Sequence, residues 1–94
     1  MEQPENTTEI RRKRLQWRAS RRGIKEMDLV VGGYAQAHLA TMNLQELDAF
    51  EMVLDLPDTD LLAWMTGQAA VPAAVSTPML ARVLKFRPVE TSQT

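Results

Sequence analysis

Apolar residues recur along this chain at a period near 3.6, and no stretch alternates in the manner of a strand. The spacing predicts five helices. The first, about 8–22, sets Ile10 and Trp17 on one side, a stripe that continues to Ile24, and Arg11, Arg14, Arg18 and Arg22 on the other. Gly23 follows, a residue that tolerates positive φ and so ends a helix without strain. A second helix over 24–40 carries Ile24, Met27, Val31, Tyr34 and His38 on one face. Gly32 and Gly33 inside it each weaken the helix by on the order of 1 kcal/mol relative to alanine, which implies a close helix approach or a kink.

The remaining three helices are punctuated by their end residues. Asn43 followed by Glu46 is a capping box, and Leu44, Leu47, Phe50, Val53 and Leu54 form the buried face behind it. Asp58 opens a fourth helix with Asp60 in its first turn, Leu61, Trp64 and Met65 make its inner stripe, and Gly67 closes it. Gln68 to Ser76 is a small, apolar loop around Pro72. Thr77-Pro78 then starts a fifth helix over 78–86 with Leu80, Val83 and Leu84 inward, stopped by Pro88. The expected architecture is all-α, a bundle of five short helices forming one domain over 10–88. Flexible tails are expected over 1–9 and 89–94.

Ninety-four residues sustain one modest core, burying roughly 60–65% of the surface the unfolded chain exposes. Without cysteine there is neither a disulfide nor a thiolate metal site, so helix packing alone must hold the fold. No run approaches the roughly 20 apolar residues that span a bilayer, and the polar, acidic start lacks the features of a signal or transit peptide. A soluble, cytoplasmic protein is expected.

Charge is segregated although the net charge is only −1. Residues 11–25 hold eight lysines and arginines and no acid, whereas residues 26–81 hold eight acids and no lysine or arginine. Such a split implies either a polar partner surface or docking of the basic helix on an acidic body. A basic stripe near Trp17 also leaves open a small nucleic-acid-binding helical regulator, although no recognition helix follows it. Catalytic sets are missing: one histidine, no cysteine, no phosphate-binding glycine loop and no elbow for Ser20 or Ser76. His38 continues an apolar stripe and reads as structural. Helix capping accounts for Asp58 and Asp60, which with Asp55 lack the glycine and closing glutamate of a calcium loop. No metal site and no catalytic residue is expected, and the chain reads as a non-enzyme.

The most informative segment is Arg22-Gly23-Ile24-Lys25-Glu26. Arg22 and Glu26 lie four apart across a glycine elbow, and a bare glycine lets another backbone approach closely. Together with the Arg11-Arg12-Lys13-Arg14 lead, Asn43-Leu44-Gln45-Glu46, Asp60-Leu61 and Trp64-Met65, this RGxxE pattern resembles the succinate dehydrogenase flavinylation factors, the assembly factor 2 and bacterial SdhE family. The likeness covers roughly residues 10–86. It implies a five-helix fold and a chaperone-like assembly role in complex II maturation. The implied partner is the flavoprotein subunit of succinate dehydrogenase or fumarate reductase, to which FAD becomes covalently attached. FAD would be handled on that partner and not bound stably here. By match to the motif, Arg22, Gly23 and Glu26 would form the contact surface, with Arg18, Lys25 and Asp28 beside them. Arg22 and Glu26 are then expected to be exposed and nearly neutral for stability.

Overall fold

The computed structural model describes residues 4–88, with side chains described from residue 7 onward. Five helices form the bundle: α1 (Pro4–Ala19), α2 (Lys25–His38), α3 (Leu44–Leu54), α4 (Asp58–Met65) and α5 (Pro78–Lys85). Short 3-10 turns at Leu39–Thr41 and Ala73–Val75 link α2 to α3 and α4 to α5. No strand occurs among the described residues. The all-α class read from the periodicity holds. The N-terminal stretch expected as a tail enters α1 from Pro4 onward, while residues 1–3 and the tail 89–94 lie outside the described residues. No described helix is long and apolar enough to cross a membrane.

End chemistry follows the sequence closely in three helices. Asn43 accepts from the Glu46 amide at 2.8 Å while the Glu46 carboxylate accepts from the Asn43 amide at 2.8 Å, a complete capping box on α3. The Thr77 hydroxyl accepts from the Leu80 amide, with Pro78 in the first turn of α5. Gly67 takes a φ of 83°, and behind it the amides of Gly67 and Gln68 return to the carbonyls of Trp64 and Ala63, which closes α4.

The core gathers around Phe50, which is fully buried and stacks on Tyr34 with centroids 6.0 Å apart. Met27, Val31, Leu47, Val53, Leu61, Leu80 and Val83 close around them. Phe86 meets the Tyr34 ring edge-on at 5.7 Å, and His38, though exposed, packs 4.5 Å from the same ring. His38 therefore ends α2 as a packing residue, in keeping with its place on the apolar stripe. One expected core position of α3 differs. Leu44 is 61% exposed, because it is the first residue of α3 and projects past the bundle's end.

The larger difference concerns α1, whose expected faces are reversed. Ile10 and Trp17 are 56% and 59% exposed, and α1 buries Leu15 and Ala19 instead. The ion pairs of α1 lie on the same side of the helix as this buried face. Arg11 reaches Asp48 at 2.7 Å and Glu51 at 2.8 Å, and Arg18 reaches Asp55 at 2.8 Å, all across to α3. Those two carboxylates raise the Arg11 guanidinium above its ordinary value, the Asp48 hydrogen bond most of all, against a smaller lowering by burial. Rotating Ile10 and Trp17 inward would carry both arginines away from these acids. Arg14, expected beside them, lies out in solvent. Each exposed pair is worth only about 0–1 kcal/mol, so the row orients α1 more than it stabilises it.

Gly32 and Gly33 serve close approach, on two different neighbours. A methyl group on Gly32 would sit 3.1 Å from the Ser20 Cα and 3.2 Å from the Ala19 carbonyl oxygen, and one on Gly33 would sit 2.9 Å from the Phe86 ring. Gly32 is thus the seat of the α1 C-terminus on α2. Because backbone stands in the way, Gly32→Val is expected to destabilise by about 2 kcal/mol through overpacking. The same change at exposed Ala37 on the same helix should have a far smaller effect. Urea denaturation of the two variants checks this, and equal midpoints would refute the close-approach account.

Candidate functional site

Between α1 and α2 the chain turns through Arg21, Arg22, Gly23 and Ile24. α1 stops at Ala19, three residues before the expected end, and the reason lies in where the next amides go. The Ser20 and Arg21 amides still bond back to the helix, but the Arg22 amide donates forward to the Asp28 carboxylate in α2. Gly23 then adopts a φ of 99°, a region that favours glycine, and a Cβ built there would meet nothing within 4 Å. Its backbone is therefore open to the outside.

The Arg22 side chain does the opposite of what the motif suggests. It turns inward and keeps only 8% exposure. Its Nε donates to the Asp58 carboxylate at 2.6 Å, one terminal nitrogen donates to the Leu54 carbonyl at 2.7 Å, and the other to the Leu56 carbonyl at 2.8 Å. Carbonyls at the end of α3 have no partner within their own helix, and a guanidinium fork supplies it. The expected exposed Arg22–Glu26 pair is absent among the described residues. Asp58 is also not the cap of α4. Pro57 holds that position, and the Asp58 carboxylate in the first turn is committed to Arg22.

The other candidate residues divide cleanly. Gly23, Lys25 and Glu26 are exposed, and neither charged side chain has a partner among the described residues. Asp28 is half-buried and holds the Arg22 amide. Arg18 is turned toward α3, where it pairs with Asp55 and lies 3.8 Å from Glu51. The structure thus brings together an open surface of Gly23, Lys25 and Glu26, standing on an internal support of Arg22, Asp28 and Asp58. Sequence reading missed Asp58 and the two carbonyls because they lie 32 to 36 positions from Arg22. The segregation of charge was the one available hint.

A phosphate-tracking stripe is weakened by the same geometry, since Arg11, Arg18 and Arg22 are spent inside the molecule. A family model described as flavinator of succinate dehydrogenase matches residues 13–87. The chain belongs to this family. Among its relatives is a FAD assembly factor of Acetobacter pasteurianus, 38% identical over 81 residues, which cover 86% of this chain and 74% of that protein. Mitochondrial succinate dehydrogenase assembly factors 2 are also similar. The one from Yarrowia lipolytica is 41% identical over 59 residues, 63% of this chain and 41% of that protein. The one from Schizosaccharomyces japonicus is 32% identical over 72 residues, 77% of this chain and 50% of that protein. The chain thus spans about half or less of these two mitochondrial relatives. The family description and the names of these relatives are those of succinate dehydrogenase flavinators and FAD assembly factors.

An inward Arg22 has a direct consequence for stability. Arg22→Ala leaves two carbonyls and a carboxylate without their donor, and breaking such a pair is expected to destabilise by about 3 kcal/mol. For a domain of this size the melting temperature should fall by more than about 10 °C. Thermal unfolding followed by circular dichroism tests it, and melting within about 2 °C of the parent would show that the clamp contributes little.

Proposed function

We propose that this chain binds the flavoprotein subunit of succinate dehydrogenase or fumarate reductase and promotes covalent attachment of FAD to a histidine of that subunit. FAD stays on the partner throughout, and the factor supplies binding and orientation and no acid or base of its own. The observation that supports this reading is the elbow: an open glycine backbone flanked by two unpaired charges, Lys25 and Glu26, fixed from behind by Arg22.

A fixed elbow suits such a role for a physical reason. Binding loses free energy to the ordering of loops and side chains, and a segment already held at Asp28, Leu54, Leu56 and Asp58 has little left to order. Gly23 admits a partner's backbone where a side chain would keep it away. Lys25 and Glu26 then select the charge pattern of the surface that docks. A factor that holds two parts of a flavoprotein in register raises the encounter of flavin and histidine by proximity alone.

Glu26→Ala and Lys25→Ala remove surface charges without touching the support. Glu26 also lies in the first turn of α2, where its loss is worth no more than about 1 kcal/mol. Both variants should melt close to the parent. Both should reduce covalent flavin on the partner subunit, read as in-gel fluorescence after denaturation with the factor limiting. Full flavinylation by both variants would remove the elbow as the contact surface.

A further inference from the structure

The basic residues of the first helix and its elbow fall into two sets. Arg11, Arg12, Arg18 and Arg22 are all used within the molecule, Arg12 on the carbonyls of Leu39 and Met42 and on Glu9, Arg11 and Arg18 on carboxylates, and Arg22 on Asp58 and two carbonyls. Lys13, Arg14 and Arg21 point out and meet no carboxylate among the described residues. The second set is not scattered. Ile10, Arg14 and Trp17 are spaced i, i+4 and i+7, a single stripe along the outside of α1 with Lys13 at its edge, and Arg21, just past the helix end, lies over Trp17.

Two large apolar residues on that stripe, Ile10 at 56% and Trp17 at 59%, are left in water. One exposed apolar side chain is ordinary, but two on one face set among unpaired cations form a patch. The Arg21 guanidinium lies 4.8 Å from the centroid of the Trp17 ring, which holds the indole in a defined orientation. Beside Ile10 and Arg14 a shallow groove runs between α1 and α3, lined also by Thr7, Leu15 and Glu51.

We infer that this outer stripe of α1 is a second docking surface, which takes an acidic protein surface carrying an apolar notch for Trp17. It rests on the reading of the elbow as a partner contact, since Arg21 leads directly into Gly23 and the two surfaces are continuous. Charge decides the kind of occupant. Three cations that form no ion pair among the described residues call for a carboxylate-rich face, and a tryptophan next to arginine is the composition of an interface hot spot. A second copy of this chain does not fit, because a two-fold contact lays this cationic stripe on the same stripe of the other copy, cation facing cation. A lipid surface does not fit either, because α1 has only two outward apolar residues and its inner face is tied to α3.

The test measures binding of the purified full chain to the flavoprotein subunit of succinate dehydrogenase prepared without covalent flavin. Trp17→Ala and the pair Arg14→Glu with Arg21→Glu are compared with Glu26→Ala. Exposure of all these side chains means each variant should keep the parent's melting temperature. The proposal expects Trp17→Ala to weaken the Kd roughly tenfold or more, and the charge-reversed pair to weaken it and flatten its dependence on salt. If both bind as the parent does while Glu26→Ala weakens binding, the stripe is idle and the elbow reading stands alone. If the parent itself does not bind the subunit, both readings fall. Parallel arms use vesicles containing phosphatidylserine, a DNA duplex and light scattering of the chain alone. Binding or self-association there that Trp17→Ala abolishes would overturn the choice of an acidic protein.

Discussion

One guanidinium ties the fold to its function. Arg22 satisfies the Leu54 carbonyl at the end of α3 and the Leu56 carbonyl just beyond it, pairs with the first carboxylate of α4, and through its own amide is held by Asp28 of α2. Four helices therefore meet at one residue, since α1 feeds directly into it. The elbow on the outside inherits its shape from this internal anchor. An arginine is suited to the task because its planar fork reaches two carbonyls and a carboxylate at once and remains charged at any physiological pH, whereas a lysine offers a single point charge. Motif resemblance puts Arg22 on the contact surface, and the geometry makes it the reason that Gly23, Lys25 and Glu26 have a surface to form.

The segregated charges find their explanation in the same place. Basic residues early in the chain and acids later on are what an α1 that docks on α3 through ion pairs requires. The pairing at Arg11, Arg18 and Arg22 uses Asp48, Glu51, Asp55 and Asp58, half of the acids between residues 26 and 81. Because α1 buries little beyond Leu15 and Ala19, its rotation is set by these pairs and by the seat of its C-terminus on Gly32. That rotation in turn decides what the outside of α1 displays, namely Ile10, Arg14 and Trp17.

How much of this was legible in the sequence depended on range. The Asn43–Glu46 box, the Thr77 cap, the Gly67 stop and the apolar stripe of α2 are local, spanning three or four positions or a single periodic face, and the chain states them directly. The faces of α1 were misread because periodicity cannot weigh an apolar stripe of two residues against a charged one whose partners lie 37 positions away. The exposure expected of Arg22 failed for the same reason. Its motif marks the position, but its three side-chain acceptors are long-range and two of them are backbone carbonyls, which no residue type announces. Gly23 was read correctly as an elbow because positive φ is a property of the residue itself.

The central claim is that Arg22 and Asp58 act as one internal unit. A double-mutant cycle measures it most directly, with Arg22→Met, Asp58→Asn and the double variant compared with the parent by urea denaturation. A hydrogen-bonded pair shielded to this degree predicts a coupling of about 1.5–3 kcal/mol between the two sites. Additive effects, with a coupling below about 0.5 kcal/mol, would show that Arg22 and Asp58 stand side by side without holding the elbow in place.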